Sequence, residues 1–242
     1  MGVFPADISA QGHLADHLFY LATYLTGAAF AIVLGTLVYF LIRYRERPGH
    51  TAWYTHGNSK NAIRLTIWLA LAVFFFIDVN LAYNDHFAFE ALWGSPPNPQ
   101  ESLRVQVMPE QFAWNIRYAG ADGQFGTGDD VTTINQLHVP VNRPVRVELR
   151  SIDVIHSFFL PNLRIKQDAL PGMTTSLYFV ATRTGQYEIA CAELCGHQHY
   201  EMRGFLTVEE PEKFEKWLQE YAREYGADAQ LWRQWDQEVK SR

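Results

Sequence analysis

The polarity pattern along the chain changes period twice. Leu18 to Ile42 is a run of 25 residues without a charge. A stretch of that length spans a hydrocarbon core of roughly 30 Å as a helix with some tilt. A secretory signal peptide is the competing reading so near the N-terminus, but the basic flank is missing and the run outlasts an ordinary signal core. A second apolar stretch, Leu65 to Tyr83, is interrupted by Asp78 and Asn80. Its charge-free part, Leu65 to Ile77, would alone suit a buried soluble helix. The aromatic density of 72–77 and the need for a hairpin partner favour a second span. Ser95-Pro-Pro-Asn-Pro99 marks a linker, where helix cannot continue. Beyond it the period falls to two: Val145, Val147 and Leu149 alternate with Arg146, Glu148 and Arg150. Val105 and Val107, and Tyr187 and Ile189, alternate with polar neighbours in the same way. Further strand-like runs are 112–118, 175–180 and 204–208. Short strands separated by turn residues predict an antiparallel sandwich or barrel. From Pro211 the period becomes helical again, with Phe214, Trp217, Leu218 and Tyr221 on one face.

Charge orients these elements. Residues 1–42 carry no Lys or Arg, whereas 43–64 carry five against the single acid Glu46. The loop between the spans therefore lies in the cytoplasm, and both termini and the strand-rich region lie outside. Asp78 falls about 21 Å along a helix from Arg64 at 1.5 Å per residue, toward the outer leaflet. A hydrogen bond to a neighbouring membrane subunit is the plain reading of so costly a residue; a proton pathway and solvation near the interface are the others. With 48% hydrophobic and 19% charged residues, the chain is neither disordered nor basic in the manner of nucleic-acid-binding proteins. The loop 120–130 reads as a wide hairpin turn. Asp122, Asp129 and Asp130 could furnish oxygens for calcium, but the EF-hand spacing is absent.

The chemistry sits in Cys191-Ala-Glu193-Leu-Cys195-Gly-His-Gln-His199-Tyr-Glu-Met202. Two thiols, an imidazole and a thioether fill one loop between strands, and this mixture of soft donors suits copper rather than magnesium or calcium. His156, from another strand, is the best placed to close the site. A disulfide between Cys191 and Cys195 and a Cys2His2 zinc site are alternatives. A single blue-copper ion would leave one cysteine unexplained. Two bridging cysteines, two histidines, one Met and a backbone carbonyl fit a pair of coppers. His197 reads as a surface residue or one packed beside the ligands.

The two-helix hairpin, Asp153-Val-Ile-His156-Ser, Lys166-Gln-Asp168-Ala-Leu-Pro-Gly172, the Cys191–Met202 loop and Pro211-Glu-Lys-Phe-Glu-Lys-Trp217 resemble subunit II of the haem–copper oxidases, the cytochrome c oxidase family. The resemblance covers nearly the whole chain. It implies an α+β membrane protein of the cell inner (plasma) membrane. Residues 1–94 would form a transmembrane hairpin with spans at about 18–42 and 65–83, and 95–99 a linker. Residues 100–210 would form a cupredoxin-like Greek-key β-barrel on the periplasmic face, and 211–242 a C-terminal helical extension. The implied cofactor is the binuclear copper centre CuA. Cys191 and Cys195 would bridge the metals, His156 and Met202 would complete one, and His199 and the Glu193 carbonyl the other. The Glu193 carboxylate would hold a magnesium at the interface with subunit I, near Asp168, and Asp78 would face that subunit within the membrane. The implied partners are the haem-bearing catalytic subunit I, subunit III, lipid and cytochrome c or a similar donor, with no nucleic acid.

Three departures from the family pattern matter. The first aromatic of a Trp-x-Trp pair that receives the electron is Phe112 here, with Trp114 packing under the site. The usual glutamate at the mouth of a proton channel is replaced by Asn61-Ala62-Ile63-Arg64. No Cys-x-x-Cys-His occurs, so the donor is a separate protein. Residues 100–210 hold thirteen acids and nine bases. A basic donor would be steered toward that surplus, and Asp153 is the acid expected at its docking surface. The implied function is electron input to a terminal oxidase, with oxygen reduced in another chain. A CuA-bearing subunit of a nitric oxide reductase is the alternative. The intact ligand set argues against a copper-free quinol oxidase subunit.

Overall fold

The computed structural model describes residues 4–51, 54, 56–94, 97–98, 100–225, 232–233 and 235–237. They form two compact units, one of residues 14–91 and one joining the residues before 14 to those from 92 onward.

The helical unit consists of α1 (Gly12–Arg43) and α2 (Lys60–Gly94), both long and apolar enough to cross a membrane. Ser59 starts α2 by accepting the Ala62 N–H on its hydroxyl at 3.2 Å, as an N-cap does. The helix that holds the expected second span continues past Tyr83 to Gly94. Asp78 does not stop the helix but ends a π-helical turn, Phe74–Asp78, and a second such turn, Glu90–Gly94, closes α2. A polar side chain costs a helix little when its own backbone bonds survive, so polarity marks the edge of an apolar run rather than the edge of the element. Of the linker, Ser95, Pro96 and Pro99 lie outside the described residues.

The other unit is a β-sandwich of the cupredoxin-like kind. One sheet has the order β3 (Val131–Ile134), β2 (Ala113–Tyr118), β1 (Leu103–Glu110), β5 (Pro144–Leu149), β8 (Thr175–Val180). The other runs β4 (Gln136–Pro140), β10 (Arg203–Glu209), β9 (Gly185–Cys191), β6 (His156–Leu160), β7 (Ile165–Ala169). The alternating valines behave as the period of two demands: Val145, Val147 and Leu149 are fully buried, and so are Val105 and Val107 opposite them. Pairing direction differs from the expectation, because β1–β5 and β4–β10 are parallel. Alternation reports which face is buried and carries no information on strand direction.

Two peripheral segments complete this unit. Residues 8–10 lie on the sandwich, Ile8 donating to the Asn162 carbonyl and Ala10 to that of Val180, each at 3.0 Å, and Ile8 is fully buried. Thus residues 8–10, just before α1, belong with the sandwich and not with the helices. At the other end α3 (Pro211–Tyr225) buries Phe214, and the His138 ring stacks on Trp217 with centroids 3.9 Å apart. Of the expected extension, residues 226–231, 234 and 238–242 lie outside the described residues. Trp232 and Trp235 cover Met108 on the outer face of β1. They explain why Gln106, Asn115 and Arg117, outward-facing by pattern, are buried.

Candidate metal centre

The loop from Cys191 to Met202 leaves β9, makes one short helical turn at His199–Glu201 and returns in β10. β9–β10 pairing fixes both ends, with Arg203 opposite Ala190. The donor atoms converge between them. Cys191 Sγ and Cys195 Sγ stand 3.8 Å apart, far beyond a covalent S–S bond, and both cysteines are free. His156 Nδ1 lies 3.2 Å from Met202 Sδ and 3.9 Å from Cys191 Sγ. His199 Nδ1 is 3.6 Å from Cys195 Sγ, and the Glu193 carbonyl is 3.2 Å from Cys191 Sγ. His156, Cys191 and Cys195 present atoms all within 4.8 Å of one another, the one such group among the described residues. The six expected ligand residues are thus brought together. His156, Cys195 and Met202 are buried, while Glu193 is exposed.

Neighbours fix the histidine. Asp153 Oδ1 lies 2.9 Å from His156 Nε2 and, as an acceptor on that side, favours a proton on Nε2, while Nδ1 faces the sulfurs. Asp153 Oδ2 accepts the Gln111 backbone N–H at 2.7 Å, and Oδ1 also accepts that of Val154 at 2.6 Å. The carboxylate expected at a donor-docking surface is therefore committed to the site's own scaffold. Burial alone would push its carboxyl up, but these hydrogen bonds, His156 foremost, hold it below the usual range. Trp114 is fully buried, its ring 6.2 Å from that of His156 and 5.1 Å from Phe158. It packs beneath the site as expected and offers no surface to a donor; Phe112 beside it is half-buried. Gly204 makes room for this ring, since a Cβ there would lie 3.2 Å from Trp114 Cδ1.

The thiols ionise unequally. Burial raises Cys191, but hydrogen bonds with His156 first, then with the Glu193 and Ser157 backbone and His199, together outweigh it and bring the group down to about 6. Cys195 is pushed up to about 12 by burial and by the negative charge on Cys191. Ionisation of one sulfur thus opposes that of the other, and a cation shared by both would favour two thiolates and release protons.

Other expected positions fall elsewhere. Asp168 is on β7 opposite Ser157 and is half-buried. Asp78 is exposed within α2. Of the rings on β6 and β10, Phe158 is buried and Phe159 half-buried, whereas Phe205 is 41% exposed. The acids of the 120–130 loop close that loop: Asp122 accepts from Gln124 N–H, Asp129 from Thr127 and Asp122 N–H, and Asp130 from Gly126 N–H. Asp130 also pairs with Arg117 of β2 at 3.4 Å, and the strands that the loop joins, β2 and β3, are antiparallel as in a hairpin. Sequence reasoning missed Gln111 altogether, although its place just past β1 and before Phe112 marks it as a hairpin tip.

Residues 105–208 match the family described as cytochrome c oxidase subunit II, periplasmic domain. An alternative cytochrome c oxidase subunit 2 of Bradyrhizobium diazoefficiens is 31% identical over 219 residues, covering 81% of this chain and 76% of the relative. The chain belongs to the cytochrome c oxidase subunit II family. Cytochrome c oxidase subunit 2 of Thermostichus vulcanus is likewise 31% identical, over 89% of this chain and 77% of that one. A solved periplasmic domain of subunit II from Bradyrhizobium japonicum covers 54% of the chain at 27% identity, with a TM-score of 0.48. As a subunit II the chain is part of a haem–copper oxidase, on the side of the complex where electrons are taken in. Two helices long and apolar enough to cross a membrane, with a match to a periplasmic domain, fit an inner-membrane protein. These relatives are oxidase subunits, and they do not favour the nitric oxide reductase alternative.

Proposed function

We propose that this subunit II accepts electrons at a binuclear copper centre of the CuA type. The donor would be cytochrome c or a similar soluble carrier, and the electrons would pass on to haem in subunit I. The observation that carries the reading is a pair of free sulfurs 3.8 Å apart with two imidazole nitrogens within 4 Å of them, His156 Nδ1 at 3.9 Å from Cys191 and His199 Nδ1 at 3.6 Å from Cys195. Two thiolates, two imidazoles, a thioether and a carbonyl are soft and borderline donors that suit copper and satisfy two metals. Cys191 and Cys195 would bridge, His156 and Met202 would complete one site, and His199 with the Glu193 carbonyl the other. The pair, when bound, supplies one-electron storage shared over two metals.

The chain's own residues do the rest. Asp153 holds the proton on His156 Nε2 and keeps Nδ1 free for a metal. Trp114 and Phe158 seal the floor of the site against water. The Glu193 side chain is free to serve a second, interfacial cation such as magnesium, and Asp168 and Asp78 to meet subunit I. Subunit III and lipid would complete the surroundings.

Replacing Cys195 by serine in the assembled oxidase tests electron input. Oxidation of a reduced haem donor should stop, while an artificial reductant acting directly on subunit I still supports gas reduction. Undiminished donor oxidation in Cys195→Ser would reject the proposal.

A further inference from the structure

Gln111 stands at the tip of the β1–β2 hairpin, outside both strands. It touches the two halves of the donor set at once. Its backbone N–H donates to Asp153 Oδ2 at 2.7 Å, and the other oxygen of that carboxylate holds His156 at 2.9 Å. Its side-chain amide donates to the backbone carbonyl of Cys195 at 2.5 Å. The next residue, Gly196, has φ +140°, and a Cβ there would lie 2.5 Å from the Gln111 amide nitrogen. Only glycine lets the loop settle on this amide.

The two cysteines are held differently. Cys191 is the last residue of β9 and is paired with Phe158 on the histidine strand β6. Cys195 lies four residues further on, in no strand, so its place relative to His156 depends on contacts made from outside the loop. Gln111 supplies one from a rigid base. Behind it, Met108 is packed under Trp232 and Trp235, and Arg117 on β2 binds the Asp236 carboxylate at 2.6 and 3.1 Å.

We propose that Gln111 is a positioning residue for the metal centre, holding Cys195 at a fixed distance from His156 and Cys191 through its side-chain amide. The proposal deepens the copper reading above and rests on it for its spectroscopic consequences.

The test compares the full chain with Gln111→Met and Gln111→Glu, which keep the length of the side chain and remove the N–H. With copper bound, both variants should release it to an added chelator about tenfold faster, the factor one hydrogen bond commands. The hyperfine pattern of an electron shared by two copper nuclei should become unequal between them. Without metal, amide hydrogen exchange should accelerate at 195–199 and stay at the parental rate at 145–149. Parental release and parental exchange in both variants would overturn the proposal. So would exchange accelerated throughout the sandwich with parental release, which is what a merely structural residue would give. A parent chain that shows no shared-electron signal would instead overturn the copper reading, and the exchange comparison would still decide the role of Gln111.

Discussion

Asp153 uses both carboxylate oxygens inside the protein, one on His156 and one on the Gln111 backbone. A negative charge in that position favours the more positive, oxidised state of a metal bound to His156. Asp153→Asn keeps an acceptor for Nε2–H but removes the charge, and its new N–H faces that of Gln111. The midpoint potential of the copper centre should therefore rise by on the order of 60 mV, the one-electron equivalent of about 1.4 kcal/mol. Potentiometric titration of the copper-loaded full chain checks this, and an unchanged potential would show that the carboxylate only orients the ring. At this scale the sequence was legible where spacing is local: Cys191, Cys195, His199 and Met202 share one loop. It was not legible where partners are remote. Gln111 meets Asp153 across 42 residues of sequence and Cys195 across 84, and no local pattern announces either contact.

Among the elements, α3 offers a pH-dependent contact. The His138 ring stacks on Trp217, and its Nδ1 lies 3.1 Å from Glu209. Burial lowers the basicity of His138 more than Glu209 restores it, so the folded chain takes up this proton at a lower pH than the unfolded chain. The resulting stability is present above about pH 6.5, the ordinary histidine value, and is lost as pH falls through the interval below it. The basicity of His156 moves the opposite way, with Cys191 and Asp153 outweighing burial. The informative quantity is therefore the difference between the parent chain and His138→Asn. In metal-free full chain, the thermal midpoint of the parent should fall on acidification by more than that of the variant. Parallel curves would mean that the stacked ring does not titrate with folding. The alternation at 145–149 made β5 and its buried face legible, as the helical spacing from Phe214 to Tyr221 did for α3. Strands β3, β4, β6 and β7 were not marked out. His156–Leu160 is buried on nearly every residue, and a strand covered on both faces shows no period of two.

At the scale of the whole molecule, hydropathy foretold two long apolar helices and a β domain. The docking of residues 8–10 onto that domain was not foretold, because three residues carry no periodicity of their own. The fold is a frame for one loop: paired sheets fix β6, β9 and β10, and these bring His156 to a cysteine loop more than thirty residues further along the chain. Whether that loop holds two coppers is the claim on which the account of function depends. Paramagnetic resonance of the full chain, loaded with copper and oxidised, with copper per chain counted in the same sample, tests it most directly. The account predicts two coppers per chain and a hyperfine pattern from one unpaired electron shared by two copper nuclei, lost in Cys195→Ser. One copper per chain with a single-nucleus pattern, or a chain that takes zinc and refuses copper, would contradict it.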